Sequence, residues 1–375
     1  MQRRTLLAAT GAVALAAPRI ARAQGGGAGG PHVVGTLFPM AGPNAEYGTI
    51  FTNGAQLALD HINADQLSQR PIELRAVDSQ STPQGGAVGM TRLANVERAV
   101  YVLVGFTGVS KAAAPIGTRA KVVMVNGGGI GPDLAGLSPY FWNVIPLVNV
   151  EIQAVLPWIK EQRYRRMAMI YVDDPAGNGI VQEFRRGLPG IGAEMVAAHS
   201  IPPASQQFAA VAARVRDSNP DVVYFASYGA QQSQIIKQLR DNGITQPLMT
   251  YSAGSIPSVG ALPEAEGLVY TSQVSDWSAQ DPVTRRFVEG WRAKHGGDPT
   301  AYHQNYYNAM LLFGLLTQAV EKNGKPVNGE NLREEMLRTR RFAMVGGEGV
   351  FDDAGTLSLP MQINRIRGGR SERIA

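Results

Sequence analysis

The sequence predicts an α/β protein built as two doubly wound parallel-sheet lobes, and three observations predict it. Short, nearly continuous apolar runs of strand length alternate with helical periodicity from Val33 to Asn126, the pattern of a parallel sheet covered on both faces by helices. The alternation restarts at Val148 and continues to Tyr251. At 375 residues the chain exceeds the usual size of one core, and its 44% hydrophobic content supports two.

The first unit spans residues 33–64. Val33, Val34, Leu37 and Phe38 form a strand that Pro39, Gly42 and Pro43 break. Asn44 is placed to cap a helix whose buried face carries Phe51, Ala55, Ala58 and Ile62 at helical spacing, with Glu46 in its first turn. Its free amides and positive dipole end face the crevice at the strand's carboxyl end, where open α/β sheets bind ligands, and Tyr47 adds an aromatic wall. A second strand follows over 72–79, and Thr82-Pro83 caps a helix reaching about Arg98. A third strand over 100–105, a helix from about Ser110 to Arg119 and a fourth strand over 121–126 complete the first alternation.

The second alternation reads as a helix over 148–163, a strand over 166–172, a helix over 179–188 and a strand over 193–201. Phe208, Val211 and Val215 mark the next helix, and a strand over 221–226 follows. The helix over 230–242 stops at Gly243, before a strand over 247–251. Asp281-Pro282 caps a helix ending at Gly296, a long helix occupies 300–323, and the last strands lie at 349–351 and 361–366.

Arg3 and Arg4, an apolar run over 6–17 and the Ala21-Arg22-Ala23 site compose an export signal over 1–23, cleaved after Ala23 and followed by a glycine linker over 24–30. The adjacent arginines resemble the twin-arginine signal. The formal charge of +5 comes from 35 basic and 30 acidic residues. Removing the leader's Arg3, Arg4, Arg19 and Arg22 leaves 31 against 30, or +1, which gives no electrostatic case for a nucleic-acid partner. Without cysteine there is no disulfide, thiolate metal site or thiol nucleophile.

The residues that could carry chemistry are few. Gly127-Gly128-Gly129-Ile130-Gly131 follows a strand but lacks the third glycine of a dinucleotide fingerprint, Pro132 and Leu134 standing at the required places. It reads as a turn that permits close backbone approach. None of the five histidines lies at metal-ligand spacing to another, so no metal or other cofactor is expected. The Asp173-Asp174 and Asp352-Asp353 pairs read as solvated turn carboxylates capping backbone amides, and no catalytic residue is assigned.

The core P-M-A-G-P-N-A-E-Y-G at 39–48, with the order of elements that follows over roughly 31–367, resembles the periplasmic solute-binding proteins of the branched-chain amino acid transporter family. The resemblance implies a type I periplasmic binding fold whose lobes are joined by a three-strand hinge with crossings near Pro146, Gln273 and Val345. Lobe I would comprise 31–145 with 274–344, and lobe II 146–273 with 345–375. It implies a monomeric, periplasmic receptor without enzymatic activity, which captures a small-molecule solute and presents it to the membrane subunits of an ABC transporter.

The family pocket maps onto Tyr47, Phe106, Thr107, Ser110, Gly128, Ile130, Tyr228 and Ser252. Tyr47 and Tyr228 would cover the ligand from opposite lobes, and the start of the helix near Thr107 to Ser110 would hold a carboxylate. Ile130 stands where the family has a threonine and Ser252 where its amino acid binders have a glutamate. A desolvated ammonium needs such a charge, so the expected ligand is an aromatic or short aliphatic carboxylate, with a free amino acid as the other member of the class. A secreted doubly wound enzyme exported by the twin-arginine route and a ligand-sensing subunit of the same fold are the alternative readings.

Overall fold

The computed structural model describes residues 30–375. The leader, its cleavage site and all of the glycine linker except Gly30 lie outside them.

Strands β1 (His32–Phe38), β2 (Ile72–Asp78), β3 (Tyr101–Val104), β4 (Val123–Asn126) and β5 (Phe141–Asn143) form a parallel sheet in the order β2-β1-β3-β4-β5. Helices α1 (Ala45–Ala64), α2 (Pro83–Asn95) and α3 (Thr107–Ala120) connect its strands. The chain then enters α4 (Val148–Glu161), β6 (Arg166–Val172), α5 (Pro175–Gly187), β7 (Glu194–Ile201), α6 (Ala209–Asp217) and β8 (Val222–Ala226). It continues through α7 (Gly229–Asp241), β9 (Leu248–Thr250), the short α8 (Pro257–Gly260) and β10 (Val269–Gln273). Here β7-β6-β8-β9-β10 are again parallel and repeat the order of the first sheet. The two-lobe α/β expectation therefore holds, and each sheet has a topological switch point, between β1 and β3 and between β6 and β8, where a crevice opens at the strand ends.

After β10 the chain forms α9 (Pro282–His295), α10 (Ala301–Lys322) and α11 (Gly329–Thr339), followed by β11 (Arg341–Met344), β12 (Gly347–Phe351), β13 (Leu357–Ser358), β14 (Met361–Arg367) and β15 (Arg370–Arg373). Helix α10 lies along α1 and is buried over most of its length because it has partners on several sides. Tyr306 stacks on Phe51 of α1 at 4.1 Å and meets Phe38 of β1 edge-on at 4.8 Å. Its hydroxyl donates to Val104 O of β3 at 2.8 Å, and Tyr101 donates in return to Ala309 O at 2.7 Å. Gly54 permits this close packing, since a Cβ there would lie 2.5 Å from His303 O.

The strand expected at 349–351 does not join the second sheet. As β12 it pairs with β11 and β13 in a separate three-stranded sheet, and Thr356 bridges Asn143 of β5 in the first. Only β14 and β15 extend the second sheet, β14 antiparallel to β10. Seven elements escaped the sequence reading: β5, α8, β11, β13 and β15 are two to four residues long, β10 leads directly into a crossing, and α11 is largely polar.

Candidate functional site

Between the two switch points lies a cavity of about 290 Å³. Counted at roughly 30 Å³ per water, that is the space of about ten waters, the scale of a small metabolite. Tyr47, Phe106, Thr107, Gly128 and Ile130 line it from the first half of the fold, and Tyr228 lines it from the second. Six of the eight residues named from sequence thus meet in one place.

The two serines do not line it, and the reason is local in both cases. Helix α3 begins at Thr107, three residues earlier than its pattern suggests, which moves Ser110 into the first turn. Its amide donates to Phe106 O at 2.9 Å, and its buried hydroxyl has no partner. Ser252 is turned inward after β9. Its amide and hydroxyl donate to Glu151 of α4 at 3.1 and 2.9 Å, and its hydroxyl lies 3.3 Å from that of the cavity residue Tyr302. Thr271 Oγ1 of β10 gives Glu151 a third hydrogen bond at 2.6 Å. Burial outweighs these bonds and pushes the Glu151 carboxyl up to about 7.

The wall at the start of α3 keeps hydrogen-bonding groups without Ser110. Thr107 Oγ1 accepts the Ile130 and Gly131 amides at 3.2 and 3.0 Å, which pins the glycine loop against the start of α3. Two amides fill its acceptor positions, so its own proton remains to be donated. Asn126 fixes the same loop by accepting from the Gly129 amide at 2.7 Å and donating to Gly129 O at 2.7 Å. Asn305 of α10 donates to Gly127 O at 3.1 Å. The expected turn with close backbone approach is therefore a rigid wall of the cavity. Beside it, the first amides of α3 carry the positive end of the helix dipole.

Phe106, the N-cap of α3, has φ 63° and ψ 133°, a conformation that non-glycine residues rarely adopt and that costs on the order of 1–3 kcal/mol. The surrounding contacts hold it there. Its ring meets Tyr47 at 5.6 Å and, across the two halves, Tyr228 at 5.3 Å, both edge-on, while Tyr47 meets Tyr302 at 5.4 Å. These edge-on pairs give this part of the cavity an apolar lining. The Tyr47 hydroxyl is buried and donates to no group among the described residues, which leaves its proton for whatever fills the space.

The second half contributes residues that the sequence reading missed. Tyr251 and Tyr302 line the cavity because tertiary packing brings them there. Asp174 could have been found: helix α5 begins at Pro175, and Asp174-Pro175 is the same cap-and-proline pair recognised at Thr82-Pro83. Asp174 does cap, accepting from the Gly177 amide at 2.7 Å, but the solvated reading fails for it. It is half-buried against the cavity and accepts the Tyr228 hydroxyl at 2.6 Å. Burial holds its carboxyl above the ordinary range. Asp173 remains exposed.

Two further contacts close the halves on each other beside the cavity. Glu46, in the first turn of α1, accepts from the Ser258 amide of α8 at 3.0 Å and from the Ser258 hydroxyl. Asn44 stands at the N-cap of α1 but makes no side-chain capping bond. Its Oδ1 instead lies against Gly229 at the start of α7, where a Cβ would be 2.1 Å away, and Gly229 has φ 60°.

Two similarly wound halves that clasp a metabolite-sized cavity between their switch points define a solute-binding receptor. The sequence pattern of the periplasmic binding protein family matches residues 31–370, and the chain belongs to that family. It is similar to Leu/Ile/Val-binding protein homolog 3 of Brucella melitensis, with 22% identity over 87% of this chain and 89% of that one. Among solved structures it resembles a solute-binding protein from R. palustris in complex with benzoate, with a TM-score of 0.84 and 19% identity over 92% of this chain and 96% of the other. It also resembles a branched-chain amino acid transporter substrate-binding protein from Streptococcus pneumoniae in complex with isoleucine, with a TM-score of 0.81 and 20% identity over 92% and 99%.

Proposed function

We propose that this receptor captures a small aromatic or short aliphatic carboxylate in the periplasm and delivers it, as a closed monomeric complex, to the membrane subunits of an ABC importer. The observation that carries the ligand class is the wall made by Thr107, the start of α3 and the glycine loop, which offers a free hydroxyl proton and unpaired amides. The rings of Tyr47, Phe106 and Tyr228 would take the apolar body. Benzoate and isoleucine, bound by the two structural relatives, share a carboxylate on an apolar body. Against an α-amino acid at the α3 wall, Ile130 has no side-chain acceptor to offer and the Glu151 carboxyl near Ser252 is committed to three internal hydrogen bonds, which leaves Asp174, in the second half, as the half-buried cavity carboxyl.

The lobes would turn about three crossings, near Pro146, Gln273 and Pro360. The last replaces Val345 because the segment between them pairs with the first half. The reading requires no chemistry on the solute.

Calorimetric titration of the mature protein with benzoate-like acids, short aliphatic acids, leucine, isoleucine and valine tests the ligand class. An acid is expected to bind more tightly than the amino acids, with a smaller radius of gyration in solution scattering when bound. Micromolar binding of a free amino acid with no response to any acid would overturn the preference.

The leader, which lies outside the described residues, is proposed to direct export and to be removed before Gln24. N-terminal sequencing of the exported protein should begin at Gln24, and an intact Met1 terminus would refute the assignment. Replacing Arg3-Arg4 by two lysines should block export if the twin-arginine route is used.

A further inference from the structure

The cavity is chemically lopsided. One wall offers hydrogen-bond donors, and the opposite wall offers the Asp174 carboxylate, while no lysine, arginine or histidine among the described residues lines the space between. A carboxylate facing such a cavity without a counter-charge is costly unless hydrogen bonds replace its lost water. Asp174 has some of them: Oδ1 takes the Gly177 amide, Oδ2 takes the Tyr228 hydroxyl, and the Ala176 amide adds to them. Each carboxylate oxygen accepts two bonds, so Oδ2, which takes the Tyr228 hydroxyl, retains an acceptor position, and Asp174 lines the cavity. The Tyr228 hydroxyl spends its only proton on Asp174 and cannot serve a ligand as donor. This wall therefore accepts and does not donate.

We propose that Asp174 is a specificity-determining residue, selecting carboxylates that carry a hydrogen-bond donor, a hydroxyl or amino group, at the end remote from the acid. The inference rests on the carboxylate reading of the same cavity and deepens it. A ligand with the donor completes the Oδ2 shell. A ligand without it leaves a desolvated carboxylate unsatisfied, and sites built to receive a hydroxyl discriminate strongly against analogues that lack it. A second carboxylate at that end would meet Asp174 as a like charge and be rejected.

The test titrates wild type and two variants with two matched pairs, benzoate with 4-hydroxybenzoate and butyrate with 4-hydroxybutyrate, and with leucine. Asp174→Asn keeps an oxygen for the Gly177 amide and puts a donor where Oδ2 accepted. Asp174→Ser keeps the helix cap and removes the carboxylate, and thermal unfolding confirms that both variants fold. In wild type the hydroxylated member of at least one pair should bind about tenfold or more tightly than its parent, the worth of one hydrogen bond to a charged group. Both variants should bring that ratio to within about threefold. Parent acids that bind as well as their hydroxylated partners in both pairs in wild type, a ratio that survives both substitutions, or no binding by any hydroxylated acid overturns the proposal. If leucine alone binds, the carboxylate preference has failed on its own account. The remote-donor proposal falls with it, because leucine carries its ammonium on the carbon beside the acid.

Discussion

Glu151→Gln is expected to raise the stability of the protein above pH 7 and to flatten its pH dependence. The Glu151 carboxyl is fully buried at the start of α4 and titrates at about 7, against an ordinary 4.5. Between those values the folded protein keeps a proton that the unfolded chain releases. Stability contributed by this group is therefore present below about 4.5, declines as pH rises through the window, and stays lost above about 7. At 1.36 kcal/mol per pH unit the loss is about 3 kcal/mol as an upper figure. Glutamine retains the shape and carries no charge to desolvate. Its oxygen can take the Ser252 amide and the Thr271 hydroxyl, and the Ser252 hydroxyl can turn to accept from its amide group. Denaturant unfolding of both proteins at pH 5 and pH 8 provides the measurement. The gap between variant and wild type should widen in the variant's favour by about 2–3 kcal/mol from the lower to the higher pH. Parallel behaviour at the two pH values would show that Glu151 is not the titrating group.

Thr107→Val should cost both stability and affinity. The substitution preserves branching and volume but removes the oxygen that accepts the buried Ile130 and Gly131 amides. A buried donor left without a partner costs about 1–3 kcal/mol, so two should lower the unfolding free energy by at least about 2 kcal/mol. The glycine loop then loses its tie to α3, and the hydroxyl that would donate to a ligand carboxylate is gone. Affinity for the best-binding acid should fall by about tenfold or more. Thr107→Ser keeps the hydroxyl and should restore most of both quantities. An unchanged unfolding midpoint in Thr107→Val would mean that the loop is held by Asn126 and Asn305 alone, and the account of this wall would be wrong.

The sequence by itself determined the α/β class, the restart of the strand and helix alternation and the two lobes, because burial of continuous apolar strands between helices writes a periodic pattern into the chain. The resemblance to the periplasmic binding proteins picked out Tyr47, Phe106, Thr107, Gly128, Ile130 and Tyr228, which line one cavity. The tertiary structure decided what those residues face. Ser110 and Ser252 drop out of the cavity through a three-residue difference in where α3 begins and an inward bond to Glu151, neither of which leaves a periodic trace. Asp174 becomes a wall of the site because β8 delivers Tyr228 against it across 54 residues of sequence. Strand β12 leaves the second sheet for the first half because its partners are β11 and β13. Pairing between distant segments depends on which surfaces meet when both lobes are folded, and no local spacing encodes that.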